Sequence, residues 1–127
     1  MIKAEDLRIG DLVNFHNSPC IITGIDDISC TVGLLNSYNS EDFRRVDDIN
    51  IEPIPLTPEI LEKNGWKRDK LVSYIYGHEA HFIEVICTPN SEWVYVTFKG
   101  ETIHRIKYVH ELQHILWALG LDANLKI

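Results

Sequence analysis

The chain has 127 residues, of which 45% are hydrophobic and 24% charged, a composition that is typical of a folded globular protein and excludes a disordered or fibrous one. Its net charge is −7, and residues 1–56 carry −6 of this, from four Lys/Arg against ten Asp/Glu. Because an acidic surface repels phosphate backbones, we expect no direct nucleic-acid partner. No apolar run reaches the roughly 20 residues of a membrane span, and the first residues form no apolar leader. We therefore expect a cytoplasmic protein without a membrane partner.

Residues 1–56 contain several short β-type segments separated by turns. The predicted segments are residues 12–16, 20–23, 30–35 and 44–53. Short strands with turns about eight to twelve residues apart are typical of small barrels and sandwiches. Residues 8–13, Arg-Ile-Gly-Asp-Leu-Val, resemble the opening strand of SH3-like barrels. We predict that residues 1–56 form a small SH3-like β-barrel subdomain.

The three cysteines, Cys20, Cys30 and Cys87, form no C-x-x-C pair. An odd number of cysteines without such a pair predicts free thiols in a reducing compartment. Cys20 and Cys30 can face each other across a hairpin, where we expect apolar packing rather than a disulfide.

Residues 57–127 combine two helical segments with three further strands. A helix is predicted over residues 58–64. Its signals are Thr57 as the N-cap, Pro58 in the first turn and Gly65 just after the last helical residue. Strands are predicted at 71–76, 82–87 and 93–98, and a final helix at 108–119 ends before Gly120. Residues 57–127 are therefore predicted to form an α-β-β-β-α subdomain with an antiparallel sheet. The chain as a whole is predicted to have an α+β fold.

The final helix contains the string His110-Glu111-Leu112-Gln113-His114. Imidazoles at i and i+4 lie on one helical face and can bind one zinc ion, and the glutamate can then accept a proton from a zinc-bound water. One hypothesis is therefore a zinc-dependent hydrolase in which His110 and His114 are ligands and Glu111 is catalytic.

The surroundings of the string favour a different interpretation. A catalytic zinc needs a third protein ligand, but the extended motif would place Gly and His where Trp117 and Gly120 stand. After His114 the chain offers one carboxylate, Asp122. Three upstream histidines are the remaining candidates: His78, His81 and His104. We therefore expect no catalytic residue, no metal and no cofactor.

The apolar positions of the final helix predict which of its faces is buried. They are Val109, Leu112, Ile115, Leu116 and Leu119. His110, His114 and Trp117 lie outside this stripe. We interpret these three side chains as a rim surface that can contact a partner protein.

Parts of the chain resemble a group of small uncharacterised proteins of gut Bacteroidetes and their phages. The resemblance lies in residues 51–57 (Ile-Glu-Pro-Ile-Pro-Leu-Thr), in residues 106–113 (Ile-Lys-Tyr-Val-His-Glu-Leu-Gln) and in residues 7–13. The resemblance implies a phage or prophage origin and no particular reaction. Glutamine and asparagine are common in that group at the positions of Glu111 and His114. The resemblance thus implies that the apparent zinc string arises from two local departures from the group's pattern.

The sequence as a whole predicts a non-catalytic accessory or interaction protein. Its unknown protein partner would contact the barrel or the final helix. The alternative is the zinc-dependent hydrolase. A third hypothesis, based on charge, is an acidic decoy that occupies a nucleic-acid-binding protein.

Overall fold

A computed structural model of the chain describes residues 2–26, 28–78 and 82–127. These residues form ten short strands, two α-helices and one 3-10 turn, so the fold is mixed and mostly β. The chain divides into two compact units: Met1–Ile54 with Tyr108–Leu125, and Pro55–Lys107 with Lys126–Ile127. The final helix therefore belongs to the first unit, whereas the sequence analysis assigned it to a subdomain of residues 57–127.

The first unit begins with the 3-10 turn Ala4–Asp6 and contains an antiparallel sheet in the order β4-β3-β2-β1-β5. Its strands are β1 (Leu12–Phe15), β2 (Ser18–Asp26), β3 (Thr31–Asn36), β4 (Glu41–Arg45) and β5 (Ile51–Pro53). β2 continues through Gly24, beyond the predicted end at residue 23, and a register shift between Ile22 and Gly24 lies within its ladder with β3.

Cys20 and Cys30 do not face each other. Cys20 lies opposite Asn36 in the β2–β3 ladder, and Cys30 occupies the turn before β3 with a φ of 54°. All three cysteines are free thiols. The predicted position of Cys20 opposite Cys30 was therefore wrong, although Cys30 packs against the apolar cluster that contains Cys20.

Helix α1 (Pro58–Lys63) confirms the predicted capping signals of the second unit. The Thr57 hydroxyl accepts a hydrogen bond from the Ile60 N–H at 3.3 Å. Gly65 has a φ of 84°, and the Trp66 N–H donates to the Leu61 carbonyl at 3.0 Å. These bonds satisfy backbone groups that a helix end leaves without an intrahelical partner.

The sheet of the second unit has five strands instead of the predicted three, in the order β10-β9-β8-β7-β6. They are β6 (Lys67–Arg68), β7 (Ile75–Gly77), β8 (Ile83–Ile86), β9 (Val94–Phe98) and β10 (Glu101–Ile106). Residues 71–74 form no strand, because the Asp69 carboxylate accepts the N–H groups of Leu71 and Val72 and holds a turn. Lys99 and Gly100, both at positive φ, reverse the chain into β10.

Helix α2 (Val109–Ala118) packs in the first unit against β1. Its buried residues are Val109, His110, Leu112, Gln113 and Leu116. The predicted stripe instead contained Ile115, which is half-buried, and Leu119, which is 37% exposed. Compared with the predicted stripe, the buried face of α2 is rotated about the helix axis toward His110 and Gln113. In the part of the chain that the structure describes, no helix is long and apolar enough to cross a membrane.

Candidate functional site

His110, Glu111 and His114 of the His-Glu-x-x-His string each contact a side chain or backbone group other than a shared metal ligand. His114 Nε2 lies 2.7 Å from Asp11 Oδ2. Glu111 Oε1 accepts the Tyr108 N–H at 3.0 Å, so this carboxylate caps the start of its own helix. His110 is 6% exposed, and its ring is stacked on Tyr108 with 5.9 Å between the centroids. The predicted rim position of His110 was therefore wrong.

The two imidazoles of the string lie near each other but meet no third ligand among the described residues. Their ring centroids are 5.6 Å apart and their planes are at 74°. Within the described ranges no group of three or more His, Cys, Asp or Glu side chains is arranged to hold a metal. Of the upstream candidates, His104 lies on β10 and His78 follows β7, both in the second unit. His81 lies outside the described residues.

Burial lowers the pKa of His110, and the negative charge of Asp11 opposes this shift only in part. Its Nδ1 is buried and has no hydrogen-bond partner among the described residues. Desolvation therefore favours the neutral imidazole.

Asp11 is the buried carboxylate of the site, with 3% of the residue exposed. Its Oδ2 accepts the Arg8 N–H at 2.8 Å and faces His114 Nε2 at 2.7 Å. These two contacts give the buried carboxylate oxygen a backbone partner and a side-chain partner. The pair joins the chain segment before β1 to helix α2.

Gln113 makes a second connection between the same two segments. It is 4% exposed, and its Oε1 accepts the Leu12 N–H at 2.8 Å. Its Nε2 donates to the carbonyls of Gly10 at 3.0 Å and Ala123 at 3.1 Å. One side chain thus holds the start of β1, helix α2 and the segment after α2 in fixed positions.

Trp117 and Arg8 lie on the solvent side of this framework. Trp117 is 62% exposed, and the Arg8 guanidinium carbon lies 4.3 Å from a ring centroid of the indole. This is the geometry of a cation–π contact. Ile9, the neighbour of Arg8, is 71% exposed. Two large apolar side chains and one cation therefore face solvent beside a fixed framework.

These groups enclose a cleft of about 390 Å³ within the first unit. The residues that line it are Arg8, Ile9, Gly10, Asp11, Gln113, His114, Trp117, Ala123 and Asn124. We call Arg8, Ile9, His114 and Trp117 the cleft surface. The buried bonds of Asp11 and Gln113 support it from below.

The second unit contains a larger cavity of about 690 Å³, lined by Gly77, His78, Phe82, Ile83, Glu84, Lys99 and Gly100. It adjoins the chain between His78 and Phe82, of which residues 79–81 lie outside the described residues. The candidate site is therefore the smaller cleft, whose surroundings are described completely.

The two units differ in charge more than the two halves of the sequence do. The first unit holds four Lys/Arg against twelve Asp/Glu, a net charge of −8, and the second eight against seven, a net charge of +1. Helix α2 and the segment after it add Glu111 and Asp122 to the acidic first unit. The acidity of the chain is thus a property of the unit that contains the cleft.

Sequence reasoning named His114 and Trp117 but missed Arg8, Asp11 and Gln113. Arg8 and Asp11 lie in the segment 8–13 that resembles an SH3-like opening strand, and an acidic residue after glycine gives no signal of burial. The partners Asp11 and His114 are separated by 103 residues, so no local spacing relates them. Comparison with known protein families, with curated proteins and with solved structures finds no match to this chain.

Proposed function

We propose that this chain is a non-catalytic interaction protein that binds a protein partner through the cleft surface. The exposed Trp117–Arg8 pair is the observation that carries the proposal. Tryptophan and arginine are among the residue types most enriched at the energetic centres of protein interfaces. Their fixed position also matters, since a surface ordered before binding loses less conformational entropy on association.

The buried framework supports this proposal. Gln113 makes three hydrogen bonds below the cleft surface, and Asp11 holds both the Arg8 backbone and the His114 ring. These bonds restrain the backbone that carries Arg8 and Ile9 and the helix that carries Trp117. The partner therefore meets a surface whose backbone needs little rearrangement.

The zinc-dependent hydrolase is the weaker hypothesis, because its residues already have other partners. Zinc binding through Nε2 of His114 would have to displace Asp11. Glu111 would have to leave the Tyr108 N–H, which it caps at the helix start. A hydrolase would therefore require this end of α2 to rearrange.

The proposal can be tested by affinity capture with the untagged protein coupled to a resin. A captured protein is purified, and its affinity is measured by calorimetry against wild type and Trp117→Ala. We expect Trp117→Ala to weaken binding about 30-fold, which corresponds to about 2 kcal/mol for a central interface residue. Leu119→Ala, at the C-cap of the same helix and 37% exposed, is the control and should change the affinity less than threefold.

Metal analysis of the same preparation separates this proposal from the hydrolase. Stoichiometric zinc that is lost in a His110→Ala/His114→Ala variant would overturn the proposal. Equal binding by Trp117→Ala and wild type would also overturn it, because the cleft surface would then contribute nothing.

The concentration of charge in the first unit favours a second candidate, an acidic decoy of a nucleic-acid-binding protein. A net charge of −8 on this unit suits a basic nucleic-acid site. Binding of this kind depends steeply on salt, since the charges are screened over about 10 Å at 0.1 M. The decoy predicts strong loss of affinity with salt and little effect of Trp117→Ala, whereas the cleft surface predicts a large effect of Trp117→Ala.

Three further proposals concern the architecture of the first sheet, the cellular location of the protein and its origin. We propose an SH3-like barrel for the first sheet, supported by its five short antiparallel strands. A cytoplasmic location is supported by three free thiols. A phage or prophage origin among gut Bacteroidetes is supported by the resemblance of residues 51–57 and 106–113. Cell fractionation and the genes that flank the coding sequence test the last two.

A further inference from the structure

We propose that the cleft surface binds the carboxyl-terminal residue of a partner polypeptide, whose last side chain is apolar and is preceded by basic residues. This inference rests on the proposed function and specifies the partner of the same site. It follows from the size of the cleft, the chemistry of Arg8 and the charge around it.

The size of the cleft favours the end of a chain. About 390 Å³ lies near the lower limit of the roughly 300–1,000 Å³ of ligand pockets. A partner helix or sheet would fill a larger volume than this cleft provides. One or two residues at the end of an extended segment fit a cleft of this volume.

Arg8 supplies the group that recognises a terminal carboxylate. Among the described residues, no carboxylate lies within ion-pair distance of its guanidinium, which contacts the Trp117 ring instead. A guanidinium binds a carboxylate through two parallel hydrogen bonds, and contact with an aromatic ring leaves its edges available for them. Among the described residues that line the cleft, Asp11 is the only carboxylate, and it is already bonded to the Arg8 backbone and to His114.

Trp117 and Ile9 supply the apolar part of the site. They are 62% and 71% exposed, and both line the cleft with Arg8. A ligand that carries a carboxylate and an apolar side chain on one carbon atom can reach the guanidinium and this apolar wall together. The last residue of a polypeptide has this combination.

The surroundings of the cleft favour basic residues before that terminal residue. Glu5 and Asp6 are exposed in the 3-10 turn that precedes Arg8, and Asp122 is exposed directly before Ala123, which lines the cleft. The unit as a whole has a net charge of −8. A segment with basic residues upstream is attracted by this field, whereas an acidic segment is repelled by it.

The test uses fluorescein-labelled hexapeptides of the form Lys-Ser-Lys-Gly-Ser-X, in which X is Val, Ile, Leu, Met, Phe or Tyr. Each is prepared as the free acid and as the carboxyl-terminal amide, and binding to the full chain is measured by fluorescence anisotropy. We expect at least one free acid to bind at micromolar concentration and its amide to bind at least tenfold more weakly. Replacing both lysines by glutamate should weaken the free acid further.

Variants of the protein locate the site. Arg8→Gln should weaken the free acid at least tenfold and leave the weak binding of the amide unchanged. The variant keeps the backbone N–H that bonds Asp11, so the fold is retained, and circular dichroism verifies this. Arg45→Gln is the matched control: it removes one positive charge from the same unit, on β4, where Arg45 pairs with Asp47. It should leave the affinity unchanged.

Three results overturn the inference: no free acid binds below about 1 mM, the amide binds as well as the free acid, or Arg8→Gln binds like Arg45→Gln. A result that refutes binding of a terminal carboxylate can be distinguished from a result that refutes binding of a protein partner. A captured partner that depends on Trp117, and that no free-acid peptide displaces, would leave the interaction surface standing and refute only the terminal carboxylate.

Discussion

Replacement of Gln113 by leucine tests whether its buried hydrogen bonds stabilise the first unit. Gln113→Leu keeps a side chain of similar size and removes three hydrogen bonds. The Leu12 N–H then loses its partner at a residue that is 7% exposed, and an unsatisfied buried group costs about 1–3 kcal/mol. The carbonyls of Gly10 and Ala123 border the cleft, where water can replace the amide. We expect a net loss of about 2 kcal/mol in the free energy of unfolding.

Urea unfolding followed by circular dichroism measures this loss by linear extrapolation. Ala118→Leu is the matched control, because Ala118 is exposed on the same helix and its replacement should change stability by no more than about 0.5 kcal/mol. An unchanged m-value indicates that the variant alters stability and not the compactness of either state. If Gln113→Leu and Ala118→Leu unfold at the same urea concentration with equal m-values, Gln113 does not hold the two segments together.

The other predictions concern the groups beneath the cleft and the thiol of the second unit. A double-mutant cycle with Asp11→Asn and His114→Gln should give a coupling energy of about 1–3 kcal/mol, and a value near zero would contradict the buried pair. Burial lowers the pKa of His110 in the folded state below its usual 6.5, so the unfolded chain binds the proton more readily. The free energy of unfolding should therefore fall as the pH drops below 6.5, and this fall should be smaller in His110→Phe. If the wild type and His110→Phe show the same dependence of stability on pH, the lowered pKa of His110 is refuted. Burial, with a smaller contribution from Glu59, raises the pKa of Cys87 from 9.0 to about 11. Iodoacetamide at pH 8 should then alkylate Cys87 about 100-fold more slowly in the native protein than in guanidinium, and rates within threefold of each other would exclude the shift.

Local signals predicted the elements whose causes lie within a few residues. Thr57, Pro58 and Gly65 delimited α1, because a capping hydroxyl, a fixed φ and a left-handed C′ residue act within one helical turn. Gly120, with a φ of 73°, likewise marked the end of α2. The apolar run at 82–87 and the aromatic and β-branched run at 93–98 located the strands Ile83–Ile86 and Val94–Phe98, whereas the alternation at 71–76 predicted a strand that begins only at Ile75. The sequence therefore predicted a mixed α and β chain with its helices close to the correct positions.

Pairing between strands was harder to predict, because a strand depends on its neighbour as well as on its own residues. β6 has two residues, and its pairing with β7 defines it. β10 is exposed along most of its length and lacks the alternation that marks a half-buried strand. β2 extends beyond residue 23, its predicted end, because its ladder with β3 continues on both sides of Gly24.

The sequence alone determined that His110 and His114 lie on neighbouring turns of one helix, because helical spacing is a local property. Only the tertiary structure decided what these residues face. It buried His110, placed His114 against Asp11 from 103 residues away and assigned Glu111 to the start of its own helix. It also brought Arg8 to Trp117. The spacing of a motif fixes which side chains share a face, whereas their partners depend on chain segments that pack against that face, and these are set by the fold as a whole.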